Sequence, residues 1–237
     1  MNYTSEQLKE ILAKHAEWLA DNSKGARANL RCANLRYANL RYANLRYADL
    51  HGADLYGADL RGANLSNANL CGDNLNSANL RYADLHGADL NSANLGNVNL
   101  YGANLNSANL SGASLIGANL RYANLSNVNL SYVNLNSADL YGADLNSANL
   151  RCANLQGANL NSADLSHTSM DYSSGIPLWC GGADFKCEVK LIQQILAHLV
   201  TLDCDDAEWQ ELRGKILPFA KKSHRAEALG LVKQQKG

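Results

Sequence analysis

From Leu30 to Leu165 a leucine stands at every fifth position without a gap, 28 in register, and Met170 extends the series by one. Two residues before each leucine stands alanine, replaced only by Asp73, Val98, Val128 and Val133, with Thr168 ahead of Met170. Between them lies Asn or Asp, except for Ser114 and, ahead of Met170, Ser169, so the unit reads Ala-Asn/Asp-Leu-x-x. A period of five matches neither the 3.6 of a helix nor the 2 of a strand, so no continuous helix or long flat strand keeps these leucines on one face. The chain must turn once per unit. Within a short extended segment Ala and Leu, two apart, point inward, and Asn/Asp points out. The last positions of the unit carry the corner. Glycine takes the second place after Leu in ten units, Gly52 to Gly157, where a type II turn requires positive φ. Tyrosine takes the same place at Tyr37, Tyr42, Tyr47, Tyr82, Tyr122 and Tyr132. A side chain disfavours the left-handed region, so those corners are expected to use another turn type.

Units such as Ala53-Asp54-Leu55-Tyr56-Gly57 resemble those of the pentapeptide-repeat family, and the resemblance covers residues 28–170. It implies a β-solenoid: a right-handed quadrilateral β-helix, four units to a square coil, with leucine and the small residue stacked inside. Twenty residues per coil then make about seven coils and, at roughly 4.8 Å per layer, a rod about 34 Å long. Side chains fill such a lumen and leave no ligand-sized cavity, which argues against an enzyme.

An open solenoid end exposes unpaired backbone and apolar side chains, so covers are expected at both ends. Thr4 and Gln7 form a capping box, and Leu8, Ile11, Leu12 and Leu19 follow at helical spacing with Trp18 beside them. A helix over Ser5–Asp21, ended by Lys24-Gly25, is expected to plug the N-terminal end, making residues 1–27 an N-terminal capping helix. Residues 171–185, with Ser173-Ser174-Gly175-Ile176-Pro177 and Gly181-Gly182, read as a linker loop. Residues 186–237 read as a C-terminal α-helical segment that caps the solenoid or forms a homodimer. Its first helix carries Val189, Leu191, Ile192, Ile195, Leu196, Leu199 and Val200; its second carries Trp209, Leu212, Ile216 and Leu217 behind Asp205 and Asp206, broken at Pro218. A third, short helix is expected near Ala226.

Composition narrows the function more by exclusion than by assignment. Lys and Arg total 21 against 22 Asp and Glu, a formal net charge of −1, which fits neither a generally basic nucleic-acid binder nor a strongly acidic mimic. No apolar run approaches a membrane span, and the start lacks the basic and apolar regions of a secretory signal, so a cytoplasmic protein is expected. Among six cysteines, Cys32 and Cys152 stand six coils apart, roughly 29 Å, beyond disulfide reach. Cys180, Cys187 and Cys204, with His198 and His224, lack metal-ligand spacing. Neither a metal nor a cofactor is expected, and no Walker A, GxGxxG, GxSxG or HExxH motif occurs. His51, His86 and His167 take outward positions.

Two features remain as candidate sites. Asp73 occupies an inward alanine position, where a carboxylate needs backbone N–H partners at a distorted corner or a raised pKa. Sorting units by twenties places Arg41, Arg61, Arg81 and Arg121, with Tyr42, Tyr82, Tyr101, Tyr122 and Tyr141, on the face that begins at Ala38. Against Asp59 and Asp139 this face carries a formal +2, and the like charges of Arg41, Arg61 and Arg81 repeat at one-coil spacing. The expected function is a non-enzymatic scaffold or protein-interaction module with an unknown protein partner. Two alternatives stand beside it. Some family members are thought to mimic DNA and bind a type II topoisomerase (gyrase), but no face approaches the one charge per 1.7 Å of duplex DNA. The Arg/Tyr face also suits nucleic-acid binding.

Overall fold

A computed structural model of the chain describes residues 2–171, 173–175 and 207–222. Two compact units divide the chain at Lys186–Cys187.

In the first unit, parallel bridges join residues 20 apart, from Asn29–Asp49 to Asn154–Ser174. Four pentapeptides therefore close each circuit, and the ladder reaches Ser174, one unit past Met170. Every N–H of a unit finds an acceptor, which is why the pattern repeats so strictly. In the unit around Leu100, Asn99 N–H donates to Ala78 O at 3.0 Å, Leu100 N–H to Asn119 O at 2.8 Å and Gly102 N–H to Arg121 O at 3.0 Å. Ala103 N–H closes the corner on Leu100 O at 3.0 Å. The remaining N–H, on Tyr101, donates to the side chain of Asn99 at 3.2 Å. The Asn/Asp position thus serves the corner through its own side chain, a role beyond pointing outward. Asn side chains also bond coil to coil: Asn109 donates to Asp89 at 3.0 Å, Asn129 to Asn109 at 3.0 Å and Asn149 to Asn129 at 3.2 Å. Asp89 has no side-chain N–H to pass the bond on, so it starts this ladder.

All leucines from Leu30 to Leu165 are buried, at 0–2% exposure. Each contributes about 1.5–3 kcal/mol by leaving water, against the entropy of ordering its unit.

The corners depart from expectation. Tyrosine corners use the same turn as glycine corners: φ is +58° at Tyr42 and +58° at Tyr132, against +63° at Gly62. Positive φ at the third turn residue alone, with the Leu C=O to Ala N–H bond, defines a type II turn throughout. A different turn would shift the register of the next side and unpair its ladder. A left-handed residue costs only about 1–2 kcal/mol, less than the layer it keeps in place.

Helix α1 spans Ser5–Ala20 and opens with both bonds of the capping box. It stops before Lys24-Gly25, at Asp21, whose N–H caps Glu17 O at 2.9 Å. Leu8, Ile11, Leu12, Trp18 and Leu19 are half-buried. The fully buried contact is His15, whose Nδ1 accepts the Ala28 N–H at 3.1 Å. Its ring stacks on Trp18 at 5.7 Å, and Trp18 meets Tyr47 edge-on at 6.4 Å. Burial holds the His15 pKa below the usual histidine range, and the charge of Arg27 acts in the same direction. Nε2 turns toward the Arg46 carbonyl without a well-aligned hydrogen bond. Asn2 forms a parallel bridge with Asn34 beneath the first coil.

In the second unit, helix α2 spans Ala207–Ala220 and carries Pro218 inside its last turn, so the helix is not broken there as expected. Proline forfeits one N–H and crowds the carbonyl four residues back, which here belongs to Gly214, a residue with open space around it. The Lys221 N–H still reaches Leu217 O at 3.0 Å. The apolar run Val189–Val200, Cys180, Cys187, Cys204, His198, His224 and the helix near Ala226 lie outside the described residues. Among the described residues no helix is long and apolar enough to cross a membrane.

Candidate interaction face

Arginine and tyrosine reach the surface through the two residues that follow each leucine, and stacking by twenties aligns them. On the face that begins at Ala38, the corner position alternates Tyr42, Gly62, Tyr82, Gly102, Tyr122, Gly142. The reason is steric. Each tyrosine ring leans over the glycine of the next coil, where a Cβ would lie 2.7 Å from the ring at Gly62, Gly102 and Gly142.

Tyr101 and Tyr141, one place earlier, fill the gaps. Tyr82, Tyr101, Tyr122 and Tyr141 form a continuous edge-to-face ladder with centroids 5.6 Å apart at each step. Arg81 lies 5.4 Å from Tyr82 and 5.2 Å from Tyr101; Arg121 lies 5.7 Å from Tyr122 and 4.4 Å from Tyr141. Arg41 stands 5.5 Å from Tyr42 alone. The residues grouped from the sequence are thus one surface, with Tyr42, Tyr82 and Tyr122 exposed at 72%, 60% and 50%.

The repulsion expected among the arginines is relieved in part by the two aspartates of this face. Arg121 pairs with Asp139 at 3.2 Å, and Arg61 grips Asp59 through two nitrogens, with Nε at 2.8 Å. The Arg61 hydrogen bond holds the Asp59 carboxyl below its ordinary range. Asp59 is thus ion-paired with Arg61, and Arg41 acts on it only through its charge. Among the described residues Arg41 and Arg81 have no carboxylate partner within 4.0 Å, and the Arg81 Nε is buried without a hydrogen bond.

One local device occurs three times: Arg-Tyr, followed in the next coil by Tyr-Gly. It was overlooked on the neighbouring face, where Arg36 stands 5.7 Å from Tyr37 and 4.4 Å from Tyr56. In two copies an aspartate eighteen residues on seats the guanidinium, Asp54 for Arg36 at 3.0 Å and Asp139 for Arg121. In the third, Asn99 stands there, and among the described residues Arg81 has the rings of Tyr82 and Tyr101 beside it but no carboxylate. The signal was readable as R-Y with Y-G about twenty residues later.

Asp73 is 1% exposed, and its Oδ1 accepts the Ala53 N–H at 2.9 Å. Its corner is regular rather than distorted, with Gly72 at φ +69° and Asp73 N–H on Leu70 O at 3.1 Å. Burial pushes its pKa up to about 8 despite that N–H, with the Asp49 charge adding to the rise. Its Oδ2 has no hydrogen-bond partner. Cys71 and Cys152 are free thiols, and the described residues contain no cluster of metal-ligating side chains. His86 is exposed and meets Asn106 at 3.1 Å.

The pentapeptide-repeat model matches in eight copies, over residues 28–67, 58–97, 68–106, 93–131, 108–147 and 129–166. The chain is a pentapeptide-repeat protein. Its fold is accordingly the family's right-handed β-helix. HetL, a pentapeptide-repeat protein involved in heterocyst differentiation regulation from the cyanobacterium Nostoc sp. strain PCC 7120, is 38% identical over 62% of this chain and 73% of its own, with a TM-score of 0.36. Rfr23, from the cyanobacterium Cyanothece 51142, is 36% identical over 42% of this chain and 64% of its own, TM-score 0.37. QnrB1, a plasmid-mediated fluoroquinolone resistance protein, is 20% identical over 73% of this chain and 91% of its own, TM-score 0.45. No curated protein matches the chain.

Proposed function

We propose that this pentapeptide-repeat protein is a non-enzymatic interaction module that binds an acidic protein surface through its Arg/Tyr face. One observation carries the reading. Arg81 sits in the same aromatic clamp as Arg36 and Arg121 but lacks the aspartate that seats them. A partner's carboxylate fills that seat, and Arg41 beside the exposed Tyr42 supplies a second contact two coils away, about 10 Å at the usual strand spacing. The tyrosine ladder is held by glycine slots and edge-to-face contacts, so it meets a partner with little entropy left to lose. Helix α1, joined to the first coil through His15 and Ala28, acts in this reading as the N-terminal cap. The acidic density of the faces gives no support to a topoisomerase-binding DNA mimic.

Affinity capture from the source cell, comparing the natural chain with Arg81→Gln and with Arg41→Gln/Arg81→Gln, tests the proposal. Partners should be retained by the natural chain, weakened by about tenfold in the double variant, and released by salt. A partner set unchanged by both variants would refute the reading. A salt-dependent shift of single-stranded DNA lost in the double variant would reassign the face to nucleic acid.

A further inference from the structure

Among the described residues, the N-terminal end of the solenoid is covered on two sides of the square and left open on the other two. Ala28 and Ala33 are 2% and 1% exposed, the first beneath the His15 contact of α1 and the second beside the Asn2–Asn34 bridge. Ala38 and Ala43 are only half-buried, whereas every later residue at those positions, Ala58 to Ala158 and Ala63 to Ala163, is fully buried. The backbone is open at the same place. In later coils the Asn/Asp N–H donates to a carbonyl 21 residues back, as Asp59 does to Ala38 and Asn64 to Ala43. Asn39 and Asn44 have no coil beneath them, and among the described residues neither their N–H groups nor their carbonyls make a backbone hydrogen bond. An uncovered strand edge of this kind recruits extended chains.

The side chains around this edge specify the sign of what docks. Arg41 and Arg46 flank it, 5.5 Å from Tyr42 and 4.6 Å from Tyr47, and neither has a carboxylate within 4.0 Å among the described residues. The nearby acids are engaged, Asp59 with Arg61 and Asp21 with Lys24. Beside Arg46 and Tyr47 the surface sinks into a cleft of about 600 Å³, lined also by Trp18 and Leu19. On the adjoining side the chain's own Asn2 already bridges Asn34 in parallel, so this edge accepts a short extended segment in register.

We infer that the open N-terminal edge at Asn39 and Asn44 binds an extended, acidic peptide segment of a partner protein as a parallel strand, in the register Asn2 takes at Asn34. This surface lies at the end of the solenoid, apart from the Arg81 clamp, and the inference does not rest on the function proposed above.

The chain supplies its own probe. Residues 138–146, ADLYGADLN, turn the same corner on the same two faces and carry Asp139 and Asp144 in the columns of Asn39 and Asn44. A fluorescent synthetic peptide of this sequence, titrated into the full-length protein and read by anisotropy, should bind saturably below about 1 mM. Replacing both of its aspartates by asparagine should weaken binding about fivefold, as should Arg41→Gln/Arg46→Gln in the protein. Asn39→Pro/Asn44→Pro removes two N–H donors that make no backbone hydrogen bond among the described residues, together with the side chains that accept the Arg41 and Arg46 N–H groups, and should abolish binding, whereas Asn39→Ala/Asn44→Ala, which loses those side chains alone, should not; circular dichroism checks that both variants fold. Arg151→Gln, near the opposite end of the solenoid, removes one positive charge away from the edge and should leave peptide binding unchanged. No binding by the natural chain, equal binding of the charged and uncharged peptides with no effect of Arg41→Gln/Arg46→Gln, or full binding by a folded proline variant would each overturn the inference. So would a dimer in light scattering that the proline variant dissolves, because the edge would then belong to a second copy.

Discussion

Lumen and corners obey the same five-residue period under different physics. Inside, leucine repeats without interruption from Leu30 to Leu165 and, apart from the neighbours of Asp73, Val98, Val128, Val133 and Thr168, packs against leucine and alanine alone, so the column is nearly uniform. Outside, the corner must hold φ between about +51° and +71° whatever residue occupies it, and cysteine, tyrosine, asparagine, serine, histidine and glycine all comply. The interior tolerates little chemistry and the corners tolerate much. Variation that carries information about a partner is therefore confined to the corners and to the end of the stack.

The largest expected break in this contrast lies in the lumen. Leu100→Ala removes a side chain at 0% exposure and should cost about 2–5 kcal/mol, measured by denaturant unfolding. A corner substitution of the same size should not approach that.

Asp73 is the interior's one carboxylate among the described residues. With a folded pKa of about 8 against 3.8 unfolded, the native state holds the extra proton between those values. Stability should therefore fall as pH rises from about 4 to 8, and level off above. Asp73→Ala should flatten that slope and raise stability at pH 8 by on the order of 2 kcal/mol, with a smaller gain at pH 5, by thermal unfolding at both. A variant with an unchanged pH slope would show that Asp73 is solvated or otherwise paired.

Corner variants sharpen the other half. Gly102→Ala puts a Cβ at φ +62° and 2.7 Å from the Tyr82 ring and should destabilise by about 1–2 kcal/mol. Ser107→Gly, at φ +59°, relieves a strained corner and should be neutral or stabilising by up to about 1 kcal/mol. Smallest of all, Arg121→Gln breaks the partly exposed pair with Asp139 and should cost no more than about 1 kcal/mol, while Arg81→Gln, which breaks no pair, should cost less.

Much of the fold was legible because its cause is periodic. Leucine every fifth residue demands a turn in each unit, and the twenty-residue circuit is what the resemblance to the pentapeptide-repeat family implied. The capping box of Thr4 and Gln7 was equally local. The Arg/Tyr face could be assembled by counting, yet its charge pairing could not. Whether Asp59 serves Arg41 or Arg61 depends on the reach of side chains across a coil step. His15 carried no signal, since a lone histidine on an amphipathic helix gives no sign that its Nδ1 meets the Ala28 N–H. Pro218 misled because a helix-breaking tendency yields where the crowded carbonyl belongs to a glycine.

By itself the amino-acid order determined what is repeated: an interior of leucine and alanine, an outward Asn/Asp, and a turn every five residues. Those choices follow from burial and local backbone preference, which act along the chain. Only the stacked coils decided that tyrosine adopts the glycine turn, that Arg81 lacks the carboxylate its two counterparts hold, and that the first coil is open beneath Ala38 and Ala43. Each depends on what lies one layer above or below, and a layer is twenty residues away in the chain but about 5 Å away in space.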